Sequence, residues 1–395
     1  MNNLKGRITD DAKAPRPRPL LTLLSSLFRF FSVLPFTNPS LRSPRSLRLM
    51  PLLLFAVAIA LTTTTPSQAD QKSTKLEKYE KPIDEATDKA LAFLAKKQQK
   101  DGCWLAGGDR RDLTGITSLC LMAFLAKGNT PGDGPYGDVI DKGVDFVLAG
   151  QLPNGLIAAQ GGHGAMYDHC ISTLLLSEVS GMVDQKRQEK LDKVLGKALK
   201  VIISAQDEPK DPSQTGGWRY QINSNDSDLS CTSWAVMSLR SVRNAGCHIP
   251  RGAIEKALGF IMRCRTQDGG FAYQPGGPPG LGRTGTAILC LELMGQHRSR
   301  ATLAGGDWIK RHFPNGWGQG EFFNYAMYYA SQGMFQLGDD YWEDYAVKMY
   351  ELMLKNQKAD GHWDGTDQAA GESYGTAMAV LAMSVSYRQL PIYQR

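Results

Sequence analysis

From residue 84 onward the hydrophobic positions alternate between two kinds of helical pattern. The first is mixed: over 84–100, Leu91, Leu94, Ala95 and Gln98 lie along one stripe and charged residues occupy the rest, which predicts a surface helix. The second is apolar almost all round. Ile116, Leu119, Cys120, Ala123 and Phe124 keep helical spacing while Leu121, Met122 and Leu125 fill the opposite face, so this helix must be buried on every side. An Asp-Gly or Asn-Gly pair separates the two, where glycine supplies the left-handed conformation that ends a helix. Equivalent apolar segments are predicted at 171–179, 232–239, 286–294, 324–337 and 376–385.

The alternation is a repeat. Lys89-Ala-Leu-Ala-Phe93-Leu94 running to Gln98 and Asp101-Gly102-Cys-Trp104 returns as Lys142 to Gln151 and Asn154-Gly155, and as Lys197 to Gln206 with Gly216-Gly-Trp218 after an insertion. Lys256 to Arg265 with Asp268-Gly269-Gly-Phe271 follows, then a worn copy ending at Asn315-Gly316-Trp317, and Lys348 to Gln357 with Asp360-Gly361-His-Trp363. The turn glycines lie 53, 61, 53, 47 and 45 residues apart, a period that holds one helical hairpin per repeat. Outer and inner helices alternating through six repeats predict an all-α fold, an α/α toroid of about six hairpins over 84–387 whose inner helices line a central cavity. An open superhelical stack is the alternative arrangement. Residues 70–83 read as a linker and 388–395 as a C-terminal tail.

Charge changes the picture at the N-terminus. The chain of 395 residues has a formal charge of +6, but residues 1–49 hold nine Lys/Arg and two Asp, a local +7, so the remainder stands at −1. Basic residues after 70 are interleaved with acids, which argues against a nucleic-acid partner. The Arg/Pro/Ser-rich stretch 1–49 fits no folded domain. Residues 50–69 read as a signal peptide: Arg45 and Arg48 precede the apolar run 51–61, and Ser67-Gln68-Ala69 supplies small residues for cleavage after Ala69. Met50 sits where such a peptide starts, which suggests translation from there. The expected location is therefore periplasmic or extracellular, or membrane-anchored if the segment stays uncut, that segment being the expected membrane contact. Seven scattered cysteines are not a disulfide framework; one or two bridges at most are expected.

The pattern Lys-Ala/Gly-x-x-Phe-Leu-x-x-x-Gln-x-x-x-Gly-x-Trp is that of the QW repeat, so the chain from about 84 to 387 resembles the terpenoid cyclase and protein prenyltransferase superfamily. The resemblance implies the same α/α toroid, with Gln98, Gln151, Trp104 and Trp363 as structural ties between hairpins. It also implies three tests of activity. Squalene-hopene-type cyclases protonate an alkene through Asp-x-Asp-Asp; here Asp226-Ser-Asp228-Leu229 places Asp228 at the acid position and lacks the final Asp. Protein prenyltransferases hold zinc with Asp-x-Cys and a His; here Ser230 and Gly285 stand at the Cys and His positions, so no metal is expected. Gly318-Gln319-Gly320-Glu321-Phe322 lacks the Cys and Gln of a complement-type thioester.

Polar residues gather just before each predicted inner helix: Asp112, Tyr167 with Asp168 and His169, Asp226 with Asp228, Arg283, Asn324 with Tyr325, and Glu372 with Tyr374. In a toroid these starts face one rim. Helix capping accounts for Asp112 and Glu372, and competes with a functional reading at Asp226 and Asp228. Candidate ligand-binding residues are Tyr167, Asp168, His169, Arg283, Tyr325 and Tyr374. The function these signs favour is an exported toroid that binds an apolar or isoprenoid-like ligand, or a partner protein, without a cofactor. The alternative is a protonation-initiated terpenoid cyclase or a prenyl transferase with Asp228 as acid and Asp226 as its partner.

Overall fold

A computed structural model describes residues 74–107, 114–158, 164–367 and 371–393. The expected extension 1–49, the signal segment 50–69 and Asp112 lie outside them. Among the described residues twelve α-helices follow in order: α1 Thr74–Lys97, α2 Thr114–Ala126, α3 Gly137–Ala149, α4 Ala165–Glu178, α5 Gln185–Asp207 and α6 Leu229–Asn244 come first. Next are α7 Arg251–Arg263, α8 Leu281–Leu293, α9 Arg300–Arg311, α10 Phe323–Leu337, α11 Asp339–Asn356 and α12 Gly371–Met383. The even-numbered helices pack in sequence on one another, and α12 packs back on α2. The odd-numbered helices surround them, and α11 packs back on α1. The toroid is therefore closed, which decides against an open stack.

The repeat residues show how the ring is held. Gln98 donates its amide to the carbonyl of Gly102 at 3.0 Å in its own turn and to that of Val139, at the start of the next outer helix, at 2.8 Å. Gln151 and Gln206 make the same pair of bonds, to Gly155 and Val194 and to Gly216 and Ala253. Gln357 closes the circle by reaching Ala86 at 2.7 Å. The tryptophans do something else than tie neighbours together: the indole N–H of Trp104, Trp218 and Trp363 donates to Leu94, Ile202 and Met353, all in the tryptophan's own hairpin. Turn glycines Gly102 and Gly361 have φ of +94° and +98°, and a Cβ there would lie 2.3 Å and 2.5 Å from the carbonyls of Lys142 and Lys89. Only glycine satisfies both constraints.

The worn fifth unit is joined differently. Arg265 and His312 occupy the Gln positions, and Trp308 donates to Asp268 at 2.9 Å, Arg311 to the Asp268 carbonyl at 3.2 Å and Tyr341 to Asp307 at 2.9 Å. The inner helices compensate. At the α8–α10 contact a Cβ on Gly285 would stand 2.5 Å from the Ala330 nitrogen, and one on Gly333 would stand 2.7 Å from the Gly285 carbonyl, so the two backbones touch.

Two boundaries differ from the sequence reading. Within the stretch 70–83, expected to be a linker, α1 already starts at Thr74, because Tyr79 and Ile83 continue the buried stripe of Ala86 and Ala90 one and two turns upstream. Lysines and glutamates between them hide that periodicity. The described part of the expected tail 388–395 is packed on the fold: Leu390 and Ile392 are buried, and the 3-10 turn Pro391–Tyr393 packs on α6. Ile392 donates its N–H to Glu178 at 3.0 Å, and Ser241 donates to the other Glu178 oxygen. Burial pushes the Glu178 carboxyl up to about 7. This end, formed by inner-helix C-termini, is thereby covered, and the helix N-termini form the other end, the mouth. All seven cysteines are free, and all but Cys247 are buried.

Candidate site at the toroid mouth

The mouth is organised by Arg219, which follows the turn residue Trp218. The segment from there to α6 folds back on itself through a pairing of Trp218 with Asp228, whose N–H donates to the Trp218 carbonyl at 2.8 Å. This sets the guanidinium beside two carboxylates: Nη1 lies 3.1 Å from Asp228 Oδ2 and Nε lies 3.2 Å from Asp226 Oδ2. Arg219 Nη1 also donates to the Tyr273 hydroxyl at 2.9 Å, and that hydroxyl bonds the Tyr220 hydroxyl. The rings of Tyr220 and Tyr273 lie 4.3 Å and 5.3 Å from the guanidinium carbon, so the cation sits between two aromatic faces.

Asp228 is fully buried, and both of its oxygens are engaged. Oδ1 accepts the Cys231 N–H at 2.8 Å, which makes Asp228 the N-cap of α6, and Oδ2 meets Arg219. Burial raises its proton affinity, while the Cys231 amide and the Arg219 charge oppose that rise. Asp226 is partly exposed and shares its Oδ2 between Arg219 and the Gln274 amide. The loop 274–280 thus lies against residues 226 and 227, where Gln274 also reaches the Ser227 carbonyl at 2.8 Å.

Further residues complete the wall. The Tyr325 hydroxyl donates to Ser230 at 3.0 Å and lies 3.0 Å from the Thr286 hydroxyl. Tyr374 donates to Asp367 at 3.1 Å, and Asp367 accepts the N–H groups of Asn324 and Tyr325, capping α10 from the neighbouring hairpin. Tyr167 lies 5.8 Å from Tyr220, ring to ring, and burial with neighbouring Cys231 and Asp228 raises its phenol well above the usual range. Five half-buried tyrosines from five hairpins, at 167, 220, 273, 325 and 374, therefore surround the mouth.

The other candidates are placed elsewhere in the network. Asp168 accepts the Gly115 N–H at 3.0 Å, capping α2 across the hairpin boundary. His169 does not face the mouth. It is fully buried, its Nδ1 accepts the Ile157 N–H at 2.9 Å and its Nε2 lies 3.1 Å from the Ala198 carbonyl, so both nitrogens are bound to backbone. Other hairpins use a threonine for the first of these bonds: Thr117, Thr232, Thr284 and Thr376. Burial lowers the imidazole to about 4, which keeps it neutral. Arg283 pairs with Glu321 at 2.7 Å. Glu372, expected as a cap, instead bonds Lys97 at 3.0 Å and helps join the last hairpin to the first.

Arg219, Tyr220, Tyr273 and Asp367 carry the site and were not among the expected residues. A signal for two of them existed: Tyr220 and Tyr273 each stand two residues after the turn aromatic, Trp218 and Phe271. Below the mouth the ring is filled. Trp234 of α6 stacks on Tyr328 of the facing α10 at 5.8 Å and meets Tyr329 edge-on at 5.3 Å, and the Tyr329 hydroxyl reaches Ser233 at 3.1 Å. Among the described residues no group of three His, Cys, Asp or Glu is placed to hold a metal ion. At Gly285, where the resemblance would place a His, the α10 backbone leaves no room for a side chain.

Solved structures share this architecture at low identity. An α-1,6-mannanase, GH76A, from Salegentibacter aligns with TM-score 0.57 and 11% identity over 78% of this chain and 99% of its own. A type II terpene cyclase, MstE, from Scytonema aligns at 0.50 and 12% over 78% and 100%. A family 76 glycoside hydrolase from Bacteroides thetaiotaomicron aligns at 0.55 and 8% over 77% of each chain. These likenesses show the fold alone. No curated protein matches the sequence. Residues 163–318 match the family model described as the prenyltransferase alpha-alpha toroid domain, and with its six hairpins the chain is similar to the terpenoid cyclase and protein prenyltransferase superfamily.

Proposed function

We propose that the protein is an exported binding module that takes a small ligand at the toroid mouth and leaves it chemically unchanged. The observation that carries this is the state of Asp228. Its two oxygens hold an amide N–H and a guanidinium, both of which favour the carboxylate, whereas an acid that protonates an alkene must carry the proton. The aromatic bridge from Trp234 to Tyr328 and Tyr329 also stands where a long isoprenoid would have to enter the ring. A ligand with an apolar face is therefore received on the tyrosine rings above that bridge, with its polar groups toward Arg219 and Asp226.

One observation favours the cyclase reading: complete burial raises the Asp228 carboxyl, as a protonating acid requires, and Asp226 lies close enough to share the same arginine. A single experiment separates the two. The protein is incubated with squalene and with geranylgeranyl diphosphate, beside Asp228→Asn, and products are followed by mass spectrometry. No product from either protein is expected. A cyclised or transferred product that disappears in Asp228→Asn overturns the binding reading.

A further inference from the structure

The functional groups at the mouth select among ligand classes. Arg219 is matched by Asp226 and Asp228, Arg283 is matched by Glu321, and Asp367 makes no ion pair with a described residue. Among the described residues, both of these arginines already face a carboxylate, so neither offers an uncompensated charge to a diphosphate or a carboxylate. A hydrocarbon is disfavoured for a different reason. It would cover the partly exposed Asp226 carboxylate, whose Oδ1 has no bond to a described residue, and return no hydrogen bond to it. The groups present both donate and accept, and they stand next to ring faces.

We infer, on the reading that the mouth is the binding site, that its ligand is a neutral saccharide. A pyranose offers an apolar C–H face to an aromatic ring and hydroxyls at its edge that both donate and accept. The rings of Tyr220 and Tyr273 flank Arg219, and Asp226 Oδ1 is an open acceptor beside them. Phe322 adds a second platform at the start of α10. Among the described residues it is the most exposed large hydrophobic, at 47%, and it holds φ of +49°, a conformation that a non-glycine side chain adopts at a cost. Its place one residue before the buried Phe323, between Glu321 and Tyr325, puts it on the rim. Hydroxyl recognition by Arg219 and Asp226 with aromatic stacking needs neither a metal nor a deep apolar pocket.

Calorimetric titration of the full chain with cellotriose, maltotriose and mannotriose tests this, with geranylgeranyl diphosphate as the contrasting probe. Binding of at least one trisaccharide is expected, weakened about tenfold by Asp226→Asn and by Phe322→Ala and unchanged by Met262→Ala on the outer ring. Thermal unfolding of each variant confirms that it is folded. Tighter binding of the diphosphate, weakened by Phe322→Ala, overturns the saccharide assignment and leaves the mouth as the site. Binding of any probe that neither mouth variant changes overturns the mouth itself. Absence of binding by all three sugars and by an array of neutral glycans also overturns the assignment.

Discussion

His169 and Glu178 stand near the two ends of α4, both buried, and they give the protein opposite responses to pH. The His169 pKa is lowered from 6.5 to about 4 in the folded chain, so between those values the unfolded chain holds the proton and stability falls as pH falls. Glu178 is raised from 4.5 to about 7, so over that span the folded chain holds the proton and stability falls as pH rises. The two oppose each other from pH 4.5 to 6.5, and the wild-type melting temperature should change little there. Substitution separates them. In His169→Thr the melting temperature should decline from pH 4.5 to 7, and in Glu178→Gln it should climb from pH 4 to 6.5. Parallel profiles for the two variants would contradict these placements. Neither role can be read from the sequence: His169 groups with the rim because it adjoins Asp168, but helix geometry turns adjacent residues about 100° apart. Glu178 acquires its partner from a segment more than two hundred residues away.

At the scale of helices, the alternation of mixed and all-apolar segments carried most of the fold, because an α-helix exposed on one face and one buried on every face leave different patterns in a single sequence. The Gln ties follow from the same repeat. What that pattern does not contain is the contact between α8 and α10, since glycines inside an apolar helix announce neither which partner comes close nor from which side. Here they permit backbone contact. Gly285→Ala places a methyl 2.5 Å from the Ala330 nitrogen, and rigid backbone on both sides cannot give way. A loss of about 3 kcal/mol in unfolding free energy is expected from denaturant titration. An unchanged midpoint would show that the two helices are less tightly apposed than described here.

At the scale of the whole molecule, closure gives the ring two unlike ends. One is covered by the buried C-terminal segment, and the other gathers the helix starts with Arg219, its two aspartates and five tyrosines. The sequence made the rim visible as a run of polar residues before each apolar helix, and Asp226, Asp228, Tyr167, Tyr325 and Tyr374 do stand there. It concealed the hub, because Arg219 lies in the turn and gains its meaning only when residues 218 and 228 pair and bring Tyr273 alongside. It also suggested a cavity where α6 and α10 meet across the ring through Trp234 and Tyr329. The most direct test of the account is a crystal structure of the protein with whichever probe binds most tightly. Density for the ligand should lie over the rings of Tyr220 and Tyr273, in contact with Arg219 and Asp226, with Trp234 still packed on Tyr328 and Tyr329. A ligand threaded between α6 and α10, with those three aromatic side chains displaced, would contradict it.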